Sequence, residues 1–315
     1  LTSLDLSGNH ELFELYCDDN QISSIQLSGS ADMWTLLCTG NQLTDLDVSH
    51  VSVYNLYCGR NPLTSLDVSQ NTGLGSLSCS NTELSSIDVS NNIHLRSLMC
   101  RNLDLISLDI SNNPELWRLD CCGNPLTSLD VSGKPELENL YCSDNQLSSL
   151  DVSENVLLDH FRCGNNQIST LDISNNTALT DIDFGGNQLA SLDISNNIKL
   201  GDNIWENIPD IVLDSMPTLF EVCVWELPFP PEGIEMETSG SPNIFFTTFG
   251  SSISAISRIM TPLILGIVFF CVFTPVALFL KLAGKDAMRR RIDPSAESYR
   301  IDSRGGEMGD MERPF

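Results

Sequence analysis

Apolar residues fall along most of the chain in two short alternating phrases, and the polar residues between them are as regular as the apolar ones. Copies of the first phrase begin at Leu1, Ile22, Leu43, Leu63, Leu84, Leu105, Leu126, Leu147, Ile168 and Leu189, running from LTSLDLS through LTSLDVS to LASLDIS. Each is followed by a second phrase of the form LxxLxCxxNQ. Leu12, Leu15, Cys17, Asn20 and Ile22 show it in full, as do Leu116, Leu119, Cys121, Asn124 and Leu126, and again Leu137, Leu140, Cys142, Asn145 and Leu147. Within LxxLxC the alternation has period two, which predicts a short strand whose leucines and cysteine turn inward while the residue between them turns out. One such unit cannot enclose a core. Neighbours stacked at a strand spacing of ~4.8 Å share a continuous apolar interior, and ten of them predict a rod or arc of roughly 50 Å.

These phrases resemble the leucine-rich repeat LxxLxLxxN(C)xL, with Cys in the third apolar place. They are more similar to the irregular 21-residue bacterial class, in which two LxxLxL-type halves alternate. The resemblance covers about residues 1–200. It implies a mainly β solenoid of short parallel strands, and a role in recognition or adhesion.

The Asn that follows each Cys is expected to be structural, because a buried side-chain amide satisfies backbone groups that a tight bend leaves unpaired. It stands at Asn20, Asn41, Asn61, Asn124, Asn145, Asn166 and Asn187, whereas Thr82 and Leu103 replace it in two units, where the stack is expected to be least regular. Cys17, Cys38, Cys58, Cys79, Cys100, Cys121, Cys142 and Cys163 recur every 21 residues with one step of 20, and no CxxC pair offers zinc a framework. Spacing this even reads as a seam of small buried hydrophobes; redox or metal chemistry would need accessible thiolates. Cys122, next to Cys121, is expected to face outward and to be the more reactive thiol.

Two outer faces are expected. One is uniform: Asp5, Asp47, Asp67, Asp88, Asp109, Asp130, Asp151, Asp172 and Asp193 follow the second Leu of the first phrase, with Gln26 as the exception. Carboxylates ~5 Å apart repel by about 1 kcal/mol per pair even in water, so something offsets them. Hydrogen bonds from nearby Ser and backbone donors are one answer, and weak divalent-cation binding along Asp47, Asp67, Asp88, Asp109, Asp130 and Asp151 is the other. The second face varies from unit to unit: Tyr16, Leu37, Tyr57, Ser78, Met99, Asp120, Tyr141 and Arg162 lie between Leu and Cys, with Phe13, Trp34, Tyr54 and Trp117 one strand position earlier in the phrase. Six of the nine Trp and Tyr residues occupy these slots, and such side chains on a rigid sheet are typical contact residues. A ligand-binding strip is therefore expected, centred on Tyr16, Trp34, Tyr54 and Tyr57 and continued by Trp117 and Tyr141. The alternative is that these slots are weakly constrained and have drifted.

After Leu200 the spacing decays, and residues 201–227 read as a degenerate capping unit covered by Trp205, Val222, Val224 and Trp225, with Cys223 buried. Residues 228–252 read as an extended, Pro-, Gly- and acid-rich linker. A transmembrane α-helix is expected over residues 253–284, whose stretch Ile259–Leu280 is 22 residues without a charge, enough for a ~30 Å hydrocarbon core; a buried helix of a soluble domain is the alternative. Lys281, Lys285, Arg289, Arg290 and Arg291 beyond it, against Arg258 before it, predict a cytoplasmic tail (285–315) and repeats outside the membrane. Residues 273–300 also resemble the end of small bacterial SxtJ-type membrane proteins, with Arg300 in place of their aromatic ending. That similarity implies a bacterial membrane setting. Because the phrase is entered at Leu1, further sequence before it is expected.

Charge narrows the function. Residues 1–252 hold 7 basic and 35 acidic side chains, net −28, so phosphate backbones are repelled and nucleic acid is a poor partner. The four histidines, His10, His50, His94 and His160, are scattered, and no nucleophile motif or phosphate-cradling glycine loop accompanies them. The expectation is a non-enzymatic protein without cofactor, using its repeats for protein or glycan recognition and residues 259–280 for the bilayer. A non-catalytic spacer or subunit of a bacterial membrane complex is the alternative.

Overall fold

The computed structural model describes residues 1–27, 32–202, 210–225, 227, 229–231, 234–241 and 244–248. The expected membrane span, the cytoplasmic tail and Trp205 lie outside these residues. Among them, no helix is long and apolar enough to cross a membrane.

The chain winds as a parallel β-solenoid. The second phrases form its main sheet: β2 (Glu14–Tyr16), β4 (Asp32–Leu37), β5 (Ser52–Tyr57), β6 (Ser76–Ser78), β7 (Ser97–Met99), β8 (Arg118–Asp120), β9 (Asn139–Tyr141), β10 (His160–Arg162) and β11 (Asp181–Asp183), followed by β13 (Ile211–Val212) and β15 (Met236–Glu237). The first phrases form strands only towards the ends. There β1 (Leu4–Asp5) pairs with β3 (Ile25–Gln26), and β12 (Ser191–Asp193) joins β14 (Glu221–Val224) and β16 (Phe245–Thr248). Register follows the repeat, with Leu77 opposite Leu98, Leu98 opposite Leu119, and Leu119 opposite Leu140. The inward alternation holds, since the leucines and cysteines of the second phrases form one buried core from Cys17 to Val224.

The corners explain why so small a turn closes. Asn145 donates through Nδ2 to the carbonyls of Cys142 (3.0 Å) and of Cys121 one turn earlier (3.1 Å), while its Oδ1 accepts the Leu126 N–H at 3.2 Å. Asn41, Asn61, Asn124, Asn166 and Asn187 repeat this geometry. Immediately before each stands a residue with positive φ, namely Gly40, Arg60, Gly123, Asp144, Asn165 and Gly186, mostly glycine or short polar residues that tolerate this conformation.

A second amide ladder runs along the opposite corner. Asn92 donates to the carbonyl of Asn71 at 2.8 Å, Asn113 to that of Asn92 and Asn176 to that of Asn155, both at the same distance. Lys134 occupies the row between Asn113 and Asn155, buried, with Nζ donating to the Ser132 carbonyl at 3.1 Å.

Several expectations are corrected. The units with Thr82 and Leu103 keep full register. Thr82 Oγ1 donates to the Cys79 carbonyl at 2.9 Å, and Leu103 is buried, so a hydroxyl and an apolar filler take up the vacated corners. The stack departs instead at β4 and β5, which run for six residues where the strands of later turns have three. Within residues 228–252, Met236–Glu237 pairs with β13 and Phe245–Thr248 with β14, so the expected linker carries the solenoid one turn further. Apolar Met236 and Phe246 pack against the core there, which the Pro- and acid-rich composition concealed. Cys223 is half-buried, because in β14 it is Val222 and Val224 that turn inward.

Replacing Asn145 by Ala removes one acceptor and two donations at buried sites. At roughly 1 kcal/mol or more per stranded group, Asn145→Ala is expected to lose about 2–4 kcal/mol in urea unfolding. A loss below about 0.5 kcal/mol would show that the corner does not depend on the amide.

Candidate functional site

Side chains that turn outward from the main sheet divide into two regions. At one end, Phe13, Trp34 and Tyr54 occupy the same slot on successive turns and stack. Phe13 and Trp34 lie 6.3 Å apart at 12°, and Trp34 and Tyr54 lie 4.2 Å apart at 7°. Trp34 is 44% exposed and Phe13 57%. Beside them Tyr16 is exposed, whereas Leu37 and Tyr57 in the neighbouring row are half-buried. The row continues through Gly75 to Arg96, whose Nε donates to Glu115 at 3.1 Å, while His94 Nδ1 lies 2.8 Å from the same carboxylate.

The other region is charged. Tyr141 lies between two guanidinium groups, Arg118 at 5.4 Å and Arg162 at 5.9 Å from its ring centre, and donates from its hydroxyl to Asn139 at 3.0 Å. Arg162 pairs with buried Asp181, and Arg101 Nε lies 3.4 Å from buried Asp120. Burial pushes the carboxyls of Asp120 and Asp183 above the usual range, against the lowering influence of Arg101 on the first and of the Gly185 N–H and Arg162 on the second. Arg101, Arg118, Asp120, Tyr141, Arg162 and Asp183, with the small residues Cys122 and Ser143, line an open recess of about 390 Å³.

The six expected site residues therefore do not make one strip. Tyr16, Trp34, Tyr54 and Tyr57 share the first region. Tyr141 belongs to the second and is covered by arginines, and exposed Trp117 is separated from Tyr54 by Gly75 and Arg96. The residues missed were Arg118, His160 and Asp181, the strand-start row on the same face. Their signal was the same outward parity as Tyr141, two positions earlier in the strand. Cys122 is also corrected: it is 7% exposed, and burial next to Asp120 pushes its thiol to about 12, so it is the wrong thiol for nucleophilic chemistry. Along the ladder, burial likewise raises Cys38 and Cys79 to about 12.

On the uniform face every aspartate closes a local turn. Asp67 accepts the Ser69 N–H at 2.8 Å, and Asp88, Asp109, Asp130, Asp151 and Asp172 each accept the N–H of the Ser two residues on at 2.9 Å. These bonds answer the repulsion that stacking creates. Among the described residues, no group of three or more His, Cys, Asp and Glu is placed to hold a metal ion.

The 21-residue period, the parallel ladder and the asparagine corners decide the class. The chain is a leucine-rich-repeat solenoid. The functional domain of InlJ from Listeria monocytogenes, described as including a cysteine ladder, matches at 29% identity and a TM-score of 0.60, over 78% of this chain and 55% of that one. The chain thus spans about half the length of that structure. Two further matches concern the fold alone. The leucine-rich-repeat part of FLRT2, in an octameric complex with Latrophilin 3 and Unc5D, is 19% identical with a TM-score of 0.50, over 72% of this chain and 83% of that one. YopM, a leucine-rich effector protein from Yersinia pestis, is 17% identical with a TM-score of 0.50, over 74% and 79%. No protein-family profile and no curated protein matches the sequence.

The solenoid's aspartate turns set its response to acid. Hydrogen bonds from Ser hold Asp5, Asp47, Asp67, Asp88, Asp109, Asp130, Asp151 and Asp172 below the ordinary aspartate value. A carboxyl lowered in the folded state stabilises fully above its unfolded pKa of about 3.9 and loses that contribution as pH falls through the folded value. Eight lowered groups outnumber the raised Asp120 and Asp183. The melting temperature is therefore expected to fall steadily below pH about 4; a melting temperature that is flat or rises down to pH about 2.5 would contradict the turn assignment.

Proposed function

We propose that this leucine-rich-repeat protein is a membrane-anchored recognition module that binds a protein partner outside the membrane through the outward face of its main sheet. The observation that carries the reading is the stacked Phe13–Trp34–Tyr54 row on a rigid sheet, with Phe13 and Trp34 exposed and Tyr54 half-buried. Contact surfaces are enriched in such residues because they bury large area at little entropic cost. The stacking also favours protein over glycan. A sugar binds an aromatic residue by laying its C–H face on the ring; one face of Trp34 is covered by Tyr54 at 4.2 Å, and Phe13, parallel at 6.3 Å, narrows access to the other. Ring edges remain, and edges suit the side chains of another protein.

The fold neighbour FLRT2 is found with protein partners, which is in keeping with this reading. The anchor is supported by the uncharged stretch Ile259–Leu280 and the basic cluster Lys281 to Arg291. In a spacer or architectural subunit the outward face would serve mainly itself. The paired Arg118, Tyr141, Arg162 and Asp181 fit that description, but the Phe13–Trp34–Tyr54 row does not.

The full chain in lipid nanodiscs, applied to arrays of purified extracellular proteins and of glycans, is expected to give protein hits that Trp34→Ala weakens at least about tenfold with the circular dichroism unchanged. Glycan hits alone, or protein hits indifferent to Trp34→Ala, would overturn the proposal.

A further inference from the structure

The long strands β4 and β5 mark a break in the repeat. In later turns an Asn of the second amide ladder, such as Asn71 or Asn92, ties the corner before the strand. In the unit starting at Leu43 that position holds Val51, which has no amide to donate and whose carbonyl accepts from Asn71, and the unit is one residue shorter, 20 instead of 21. Without the tie, residues 52–57 run straight and pair with residues 32–37. The straightened pair opens a groove of about 400 Å³, the size range of small-ligand pockets. Buried Met33 and Val53 are part of its apolar lining, Trp34 and Tyr54 flank it, and Asp32 and Gln70 supply polar groups.

Tyr54 is held in place by an absence. Gly75 lies next along the row, and a Cβ there would come within 2.4 Å of Tyr54 Cζ and 2.7 Å of its hydroxyl. The ring rests over that glycine, and the guanidinium of Arg96, next along the row, is stabilised by Glu115 and, to a smaller extent, by the Tyr54 hydroxyl. Gly75 has no special backbone conformation, so its value at this position lies in the space that it leaves to the ring.

We infer that this groove is the anchor subsite for a partner protein, taking one large apolar side chain from a segment that carries Lys or Arg beside it. The inference rests on the recognition reading above and adds the place and the chemistry. The apolar lining and aromatic flanks call for an apolar side chain. The flanking charge follows from complementarity: Asp32 lies at the groove, and residues 1–252 carry a net −28, which draws basic segments and repels acidic ones. The same charge disfavours a second copy of this chain as the occupant. Gly75 is a positioning residue for Tyr54.

The test is to select displayed random 12-residue peptides on the full chain in nanodiscs, then measure the enriched peptides against variants. Enriched sequences are expected to share a Phe, Trp, Leu or Met flanked by Lys or Arg. Their affinity is expected to fall at least about tenfold in Gly75→Ala and in Asp32→Lys, and to weaken as salt rises. Gly8→Ala, whose added Cβ meets nothing, is expected to bind like the parent. Unchanged circular dichroism shows that Gly75→Ala is folded, and Asp32→Lys supplies an independent exposed change. Acidic or purely polar enriched peptides, no enrichment above background, or equal binding to Gly75→Ala would overturn the inference. Protein hits lost in Trp34→Ala but retained in Gly75→Ala would remove the groove and leave the recognition reading intact.

Discussion

A side-chain amide that holds backbone groups of two successive turns at once is the interaction on which the rest of this solenoid depends. Asn166 bonds the carbonyls of Cys163 and of Cys142 and accepts the N–H of Leu147, so one side chain fixes both the bend of its own turn and the distance to the next. A bend made this way needs no water and little chain, which lets leucine and cysteine fill a narrow interior completely. The second row ties the other corner differently, since Asn113 donates to the carbonyls of Val89 and Asn92, and Asn176 to those of Val152 and Asn155, all on the preceding turn. Between two fixed corners the strand has no freedom to adapt, and its outward residues are released from any duty to hold the fold. Their variation from turn to turn follows from that release.

The outward face changes character where the constraint is relaxed or filled differently. Val51 stands where later turns have an amide, the adjoining strands lengthen, and a groove opens beside stacked Trp34 and Tyr54. Further along, the same face is occupied by charges that mostly answer one another, with Tyr141 between Arg118 and Arg162. One surface thus carries an apolar, edge-presenting region and a self-paired polar region. A partner engaging both would have to be chemically asymmetric in a fixed direction along the sheet.

Much of this was legible in the residues because the fold is periodic. The inward leucines and cysteines, the amide corner and the turn-closing aspartates each recur at one spacing, and a single physical role satisfies every copy. What escaped was either non-periodic or hidden by a stronger pattern. The second Asn row has the same 21-residue spacing but sits in the varied stretch after DVS, where Lys134 interrupts it. Cys122 has outward parity in a strand, yet the strand ends at Asp120 and the chain folds over it. Strands Met236–Glu237 and Phe245–Thr248 are too short and too mixed in composition to announce themselves, and only pairing with the preceding turn forms them. The split of the aromatic strip comes from Gly75 and Arg96 in its own row and from Arg118 and Arg162 at Tyr141, none of which an aromatic pattern reveals.

The most direct measurement of the amide's role is hydrogen exchange at the backbone groups it holds. The N–H groups of Leu126, Leu147 and Ile168, which donate to Asn145, Asn166 and Asn187, are expected to exchange only through global unfolding of the stack. Leu63 and Leu84 occupy the equivalent positions where Thr82 and Leu103 stand in place of the Asn, and are expected to exchange at least about tenfold faster although they are equally buried. Equal protection at all five positions would contradict the account, because it would mean that strand pairing and the apolar core hold the corners without the amide.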